Sequence, residues 1–372
     1  MKKILIIGAG ISGLYLANLL EKNGNYDYKI LEKKKVFNLQ EGYGIQLSVN
    51  GVKLLNEIGF RQIAIHDINY PRNINFYNSK NLKLISKIEI SKFNNNQNFY
   101  TTIKRSVLIN FLLKNIPKEK IILNTDIESI DQNDQFKINI KNNVSEISDY
   151  LVICDGVFSS SREMVLKQIK SIKFHNSVAI RGNLKNIENN DVSLYLGPNF
   201  HFVTYPVNQS NEANFISIIA EKNLEKIKKE NKNIIIKEFI DILSKNSVFN
   251  FKDNLENISI YPIFVSSKFD KPKNKKIFLS GDALYAFPPS FAQGASQSID
   301  SAYEVFKNLE GISDNYYESR EEKIKQIKSR SEFNHFAFQV SNPITIFFRD
   351  IALKFLSKNN SFLEGYLGKV YR

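Results

Sequence analysis

The sequence has one cysteine, two methionines, four histidines and no tryptophan in 372 residues. With Cys154 as its single thiol, no internal disulfide can form, which fits a reducing cytoplasm. The histidines and the cysteine are not grouped at metal-ligand spacing, so no metal site is expected. No apolar run approaches about 18 residues, so no transmembrane helix and no stable membrane insertion are expected. The stretch after Met1-Lys2-Lys3 is too short for a signal peptide and lacks a small-residue cleavage site. Ile4 to Ile7 reads instead as a buried first strand. No repeat at about 20–50 residues is visible. Zinc-knuckle, helix-turn-helix and RNA-binding signatures are also missing, so nucleic acid is not an expected partner.

What is present is an ordinary globular composition, 42% hydrophobic and 12% aromatic, with a net charge of +13. At roughly 150 residues per domain, the length suggests two domains. The lysines are spread along the chain among Asn and Ile, as on a solvated basic surface that also attracts small anions.

The chain opens with a β-α-β pattern. Ile4 to Ile7 is all apolar, as in a strand buried on both faces. A helix through Leu14 to Leu20 ends near Gly24, and a second strand spans Tyr28 to Glu32. From Arg72 to Thr102 the pattern reads as β-hairpins with a polar tip at Asn94-Asn95-Asn96. Arg105 to Ile116 reads as an amphipathic helix stopped by Pro117. Phe174 to Tyr261 is β-rich, with alternation at Ser177–Leu184 and His201–Val207. The charged stretch Glu221 to Lys232 reads as a solvated helix face or loop. A buried strand returns at Lys276 to Ser280, and helices follow.

The expected fold class is therefore α/β: a Rossmann-like nucleotide-binding domain with an inserted β-sheet substrate domain and C-terminal helices. Residues 1–70, 103–170 and 275–335 would form the discontinuous cofactor domain, 71–102 and 171–274 the substrate domain, and 336–372 a C-terminal helical segment. Within that segment, Ile344 to Leu356 is apolar and carries Arg349 and Lys354. It is expected to pack across the cofactor domain or a dimer partner, with a membrane surface as the other option.

GAGISG places Gly8, Gly10 and Gly13 after a strand and at the opening of a helix, with Ile11 and Ser12 between them. One glycine serves the tight turn, one a close approach to pyrophosphate, and one helix–strand packing. The helix N-terminus suits a diphosphate. Glu32, followed by Lys33, ends the second strand where an acid should hold a ribose hydroxyl. These features point to a dinucleotide without separating FAD from NAD.

Two later stretches narrow the choice. ICDGVFSSSR contains Asp155, Gly156, Ser159 and Arg162. LSGDALYAFPPSFAQGASQSID contains Gly281, Asp282, Pro288, Pro289, Gln293, Gly294 and Ala295. Asp282 follows a buried strand at its carboxyl end, where open α/β sheets bind ligands. Pro288-Pro289 fixes a rigid turn, and a helix of small residues opens after it, able to lie against a flat ring. Alone, SGDA also fits a strand-to-turn junction with a capping aspartate.

Together the stretches resemble the DG and GD motifs of FAD-dependent aromatic-ring hydroxylases, the group A flavoprotein monooxygenases. The resemblance extends in order through Arg105, Arg181-Gly182 and the GPNFHFVTYP stretch from Gly197 to Pro206. It is nearest to the salicylate and hydroxybenzoate hydroxylase branch and implies a glutathione-reductase-type FAD fold. It also implies roles: Asp282 on the ribityl chain, Arg105 along the ribityl and phosphate region, and Asp155 and Gly156 beside the pyrophosphate and the approaching nicotinamide. With no second fingerprint, NADH or NADPH would be a transient co-substrate. The implied reaction is reduction of FAD, capture of O2 as a C4a-hydroperoxide and transfer of OH to a small phenolic or carboxylated aromatic. The chain departs from the family where Ala-Ala-His is replaced by Ala283-Leu284-Tyr285, and where an acidic pair becomes Asp300-Ser301.

Alternation puts His201, Val203 and Tyr205 on one face, and Arg181 with Ser177, Ala179 and Asn183. His201 or Tyr205 is expected to contact a substrate hydroxyl, Arg181 a carboxylate or the flavin, and Gln293 the ring. Structural roles would suit the same residues: a capped strand position, a core tyrosine, a surface ion pair. The competing functions are a non-hydroxylating FAD reductase or oxidase, a non-catalytic flavin-binding protein, and a plain NAD-dependent dehydrogenase. A tryptophan-type halogenase is disfavoured because its Trp-rich motif cannot exist here. A monomer or homodimer is expected.

Overall fold

The computed structural model describes residues 1–37, 39, 43–141, 144–167, 171–185, 189–222, 232–245 and 255–371. Its fold class is α/β, built on two principal sheets. The first is parallel, in the strand order Ile277–Leu279, Tyr150–Ile153, Lys2–Ile7, Tyr26–Leu31, Ile121–Ile122. Ile4 to Ile7 are buried without alternation because both faces of the sheet are covered. The second strand begins two residues earlier than its sequence pattern suggests, at Tyr26.

Helix Ile11–Asn23 is buried from Ser12 to Leu20. It packs against helix Gly294–Leu309 and so has no broad solvent face. Gly24 ends it in the left-handed conformation, with φ of 74°, and donates its N–H to Leu20 O.

The register matters most. Ile7 pairs with both Leu31 and Ile153, and Ile153 pairs with Leu279. Four parallel strands thus end at one level. The loops leaving them, at Gly8, Glu32, Cys154 and Ser280, emerge side by side.

The second sheet has seven strands, in the order Leu255–Ser266, Ile172–Lys185, Glu212–Ala220, Phe200–Pro206, Val192–Gly197, Asn73–Asn78, Leu84–Glu89. All neighbours are antiparallel except Val192–Gly197 with Asn73–Asn78. Helix Lys232–Lys245 contributes Ile235, Phe239 and Leu243 to a core with Val178, Ile180, Phe200, Phe202 and Phe215 on one face of this sheet. The opposite face carries His201, Val203, Tyr205, Ile216 and Ile218.

Two further expectations change. The hairpin formed by Asn73–Asn78 and Leu84–Glu89 turns between them, not at Asn94-Asn95-Asn96. Asn94 to Asn98 is instead a closed loop. Asn95 Oδ1 accepts the N–H of Gln97 at 3.1 Å and of Asn98 at 2.9 Å, while Asn94 Oδ1 accepts that of Tyr100 at 2.8 Å. Clustered asparagines look like a tip in sequence but here close on themselves.

The C-terminal apolar helix, Pro343–Leu356, does not cross the parallel sheet. It leans on strand Leu84–Glu89, where Ser86 Oγ donates to Leu353 O at 3.1 Å and lies 2.5 Å from Ser357 Oγ. Of the charged stretch Glu221 to Lys232, residues 223–231 lie outside the described residues.

Helices Gly294–Leu309 and Tyr316–Phe338 are joined by a buried ionic cluster. Arg320 donates to Asp300 Oδ2 at 2.7 Å and to Gln297 Oε1 at 2.8 Å, while Lys323 reaches Asp300 and Glu304 at 2.9 and 2.7 Å. Burial by itself raises the Asp300 carboxyl, but the Arg320 and Lys323 charges outweigh it and hold the group below its ordinary value. Asp300→Ala leaves a buried guanidinium without its nearest carboxylate. It is expected to cost about 3–5 kcal/mol, read from the urea midpoint. Since the folded pKa is depressed, the stabilisation is full above about pH 4 and is lost as pH falls through the folded value. Asp300→Asn should flatten that acid limb of the stability profile.

Candidate functional site

Two spaces stand out, one at the aligned strand ends and one beside the seven-stranded sheet. The first is a cleft of about 460 Å3 lined by Gly8, Gly10, Glu32, Lys33, Arg105, Asp155 and Gly156, among others. Gly8 has φ of +100°, and a Cβ there would stand 2.6 Å from the Cys154 carbonyl oxygen. A Cβ at Gly13 would stand 2.1 Å from the Gly8 carbonyl oxygen. The first and third glycines are therefore demanded by the turn and by packing. Gly10 is not: a Cβ there meets no protein atom nearer than 3.9 Å. Its small size matters only to something approaching from the cleft.

Helix Ile11–Asn23 starts at this point with no side-chain cap and no acidic residue in its first turn. Its N–H groups and dipole therefore act on the cleft uncancelled. Glu32 is held in place by Ala9 N–H at 2.8 Å and Lys34 N–H at 2.9 Å. Asp155 is deeply set, and burial raises its carboxyl although Ser159 and Ser161 oppose the shift. Its Oδ1 has no hydrogen-bond partner. Cys154 is no nucleophile, since burial pushes its thiol up to about 12.

The second space is a cavity of about 380 Å3 between the seven-stranded sheet and the C-terminal helices. Its floor is Asp282, the turn Pro288 to Ala292, and Gln293, Gly294 and Ala295 at the start of helix Gly294–Leu309. That helix, too, begins without a side-chain cap or an early acidic residue. A Cβ on Gly294 would meet nothing within 4 Å. Asp282 opens onto the cavity, yet the protein around it raises its carboxyl to about 6.

The wall carries His201, Tyr205 and Arg181, so the structure brings all four sequence-expected reactive residues, Gln293 included, to one cavity. His201 is fully enclosed. Burial first, and His335 second, lower its imidazole to about 3, and its Nδ1 has no partner. Gln293 Oε1 is likewise buried and unpartnered. Buried polar atoms without partners are uncommon, and two of them here belong to residues that line one largely apolar cavity. Burial also raises the Tyr205 phenol. The Arg181 guanidinium lies 5.7 Å from the centre of the Tyr43 ring.

Ile11, Ser12, Gly13 and Gly281 line neither space but fix the backbone between them. Ser12 Oγ lies 2.7 Å from Ser280 Oγ, which lies 2.8 Å from Ser301 Oγ. Tyr285, at the departure from the family's histidine, is buried against Phe287 and takes no part in the cavity wall.

Residues missed in the sequence close the cavity's far side: Phe338, Leu353, Tyr366 and Tyr371 from the C-terminal helices, and Gln46, which accepts a hydrogen bond from Tyr100 at 2.7 Å. Their spacing along the chain carries no signal for this, because each contact is made across long sequence separations.

The residues present fit an FAD. An uncapped helix start and Gly10 suit its diphosphate, Glu32 and Asp155 Oδ1 can accept from hydroxyls, and Asp282 with the Gly294 helix start borders a space for a flat ring. The comparisons agree. A 3-amino-4-hydroxybenzoate 2-monooxygenase of Streptomyces platensis is 22% identical over 345 residues, covering 88% of this chain and 86% of that protein. An FAD-dependent monooxygenase of Penicillium shearii is 23% identical over 332 residues, covering 81% of this chain and 67% of that protein. The chain spans far less of other fungal FAD-dependent monooxygenases it matches, 35% in one from Apiospora sacchari. The crystal structure of Klebsiella pneumoniae HpxO complexed with FAD and uric acid superposes with a TM-score of 0.82 at 15% identity, covering 98% of this chain and 95% of that one. Residues 1–314 match the family model described as FAD binding domain, and the chain belongs to that family of FAD-binding oxidoreductases.

Proposed function

We propose that this protein is an NAD(P)H-dependent FAD monooxygenase that hydroxylates a small aromatic substrate held in the 380 Å3 cavity. The observation that carries the reading is the convergence on one apolar cavity of the Asp282–Gly294 floor with His201 and Gln293, two lining residues that each carry a buried hydrogen-bonding atom without a partner. In this reading residues 1–70, 103–170 and 275–335 bind the cofactor. Residues 71–102 and 171–274 bind the substrate, and 336–372 cover it. The named relatives, a hydroxybenzoate monooxygenase and a uric acid complex, suggest a flat, polar-edged substrate.

Bound FAD, reduced by NADH or NADPH, supplies the activation of O2 for transfer of one oxygen atom. The chain's own groups do the rest. Gly8, Gly10, Gly13 and the start of helix Ile11–Asn23 hold the diphosphate, with Ser12 anchored beneath. Glu32 and Lys33 hold the adenosine ribose end, Arg105 lies along the phosphates, and Asp282 binds the ribityl chain. The Gly294–Ala295 helix start would offer its N–H groups and partial positive charge to a bound flavin ring.

His201 stays neutral down to about pH 3. It is therefore too weak a base to remove a phenolic proton outright. It accepts a hydrogen bond from the substrate hydroxyl and fixes which ring carbon faces the cofactor. Tyr205 is the last residue of the same strand face and donates to the same edge. Arg181, the one cation among the described lining residues, attracts a carboxylate. Apolar walls from Phe338, Leu353 and Tyr366 exclude water, which suppresses wasteful cofactor oxidation.

Anaerobic reduction of the purified protein by NADH and by NADPH, with a panel of phenols and aromatic acids, tests the reading. A compound that sharply accelerates flavin bleaching supports it. Fast reduction indifferent to every compound would instead favour a reductase, and no reduction by either nucleotide an oxidase or a non-catalytic flavoprotein. Arg181→Ala is expected to raise KM for a carboxylated substrate roughly ten- to hundredfold, the worth of a charge-assisted hydrogen bond, with a smaller change in kcat. His201→Ala should leave cofactor reduction in place but divert reducing equivalents to peroxide, read as product formed per NAD(P)H consumed. Asp282→Ala is expected to purify with about tenfold less flavin, as loss of a charged hydrogen-bond acceptor implies.

A further inference from the structure

Helix Pro343–Leu356 has two faces that do different things. Its inner side supplies Leu353 and Leu356 to the cavity wall. Its outer side presents Ile344, Phe347, Phe348 and Phe355 to solvent, with the two adjacent phenylalanines each 62% exposed and Phe355 74% exposed. Ile344, Phe348, Ala352 and Phe355 follow one another at helical spacing, so they form a continuous stripe. Phe333 and Phe336, near the end of helix Tyr316–Phe338, are also more than half exposed. Soluble chains rarely leave so many large apolar side chains together in water without a partner.

Cations predominate around this stripe, although Glu89 and Glu332 are also exposed beside it. Arg349 is buried and paired with Asp350. Lys354 and Lys358 are exposed and have no ion-pair partner among the described residues. The hairpin that the helix leans on adds exposed Lys80, Lys83 and Lys87, with Leu82 and Leu84 exposed at its turn. The helix is too short to span a bilayer, and no described helix is long and apolar enough to do so.

We infer that helix Pro343–Leu356 docks flat on an anionic lipid surface, its phenylalanine stripe in the acyl boundary and the flanking lysines among the headgroups. An apolar face bordered by unpaired lysines is the composition that in-plane association requires. A second copy of the chain is the poorer occupant, because a two-fold contact through this convex helix would set the same lysines against each other. The docking goes beyond the proposed reaction and does not depend on it. It would set the cavity wall formed by Leu353 and Leu356 directly behind the membrane contact.

The absence of tryptophan makes the test direct. Phe348→Trp places a single indole on the stripe, and the full-length flavoprotein is titrated with vesicles of phosphatidylcholine alone and of phosphatidylcholine mixed with phosphatidylglycerol. The expected result is a blue shift and co-sedimentation with the mixed vesicles, weakened by salt. The double variant Phe347→Ser/Phe348→Ser, prepared in the natural background, should reduce co-sedimentation at least about tenfold, and Lys354→Glu/Lys358→Glu should reduce it on anionic vesicles. The substituted side chains all face solvent, so retained flavin content serves as the check on folding. Three results would overturn the inference: no binding to either vesicle, binding unchanged in the Phe double variant, or a solution dimer that this same variant dissociates.

Discussion

Four buried hydroxyls hold the cofactor cleft and the cavity floor in one frame. Ser12 from the fingerprint helix, Ser280 from the last parallel strand, Ser301 from the long helix behind it and Tyr316 beyond lie within 2.7 to 2.9 Å of one another in a chain, and Tyr316 donates onward to Leu279 O at 2.6 Å. Each would cost about 1–3 kcal/mol if left buried and unpaired, so the chain is stable only with all members in register. It fixes the loop at Gly281 and Asp282 against the turn at Gly8 to Gly13, although Ser12 and Ser280 stand 268 residues apart in sequence. The family's usual acidic pair is answered within the same frame: Asp300 binds Arg320, and Ser301 joins the hydroxyl chain.

On this frame the seven-stranded sheet acts as a partition. One face is filled by helix Lys232–Lys245 and is ordinary core. The other is left to the cavity, where aliphatic side chains dominate and few polar atoms are placed. Low polarity keeps His201 neutral and makes each hydrogen bond there count for more, because there is little solvent to compete. The cleft at the strand ends is the reverse: glycines, backbone N–H groups, carboxylates and Lys33 line it. The protein thus keeps a polar, charged groove apart from an enclosed, largely apolar one.

Local rules made much of this legible. GAGISG and Glu32 could be read because turn geometry and strand-end position are settled within about 30 residues. The shared face of His201, Val203 and Tyr205 follows from the two-residue period of a strand and needs no tertiary knowledge. The GD loop was readable chiefly through family resemblance, since a strand followed by an aspartate is equally the pattern of a capped turn. Local patterns mislead where one composition suits two structures. Asn94 to Asn98 has the composition of a hairpin tip, yet its side chains cap its own backbone. The apolar helix Pro343–Leu356 is legible as a packing element, but which sheet it meets depends on Ser86, far back in the chain. Phe338, Tyr366 and Tyr371 could not have been placed on the cavity by any spacing rule.

The level ends of the parallel strands carry a consequence for how the chain comes to be folded. Strand Ile277–Leu279 is the edge of its sheet, and its residues enter last of the five strands. During synthesis the first four strands and most of the seven-stranded sheet are available well before the loop that completes the cleft. The nascent chain must therefore keep an unpaired strand edge at Tyr150–Ile153, with its buried-type side chains exposed, until that late segment emerges. Long-range parallel pairing of this kind is slow and prone to wrong partners. A ligand that needs all of these loops together binds the finished fold and stabilises it.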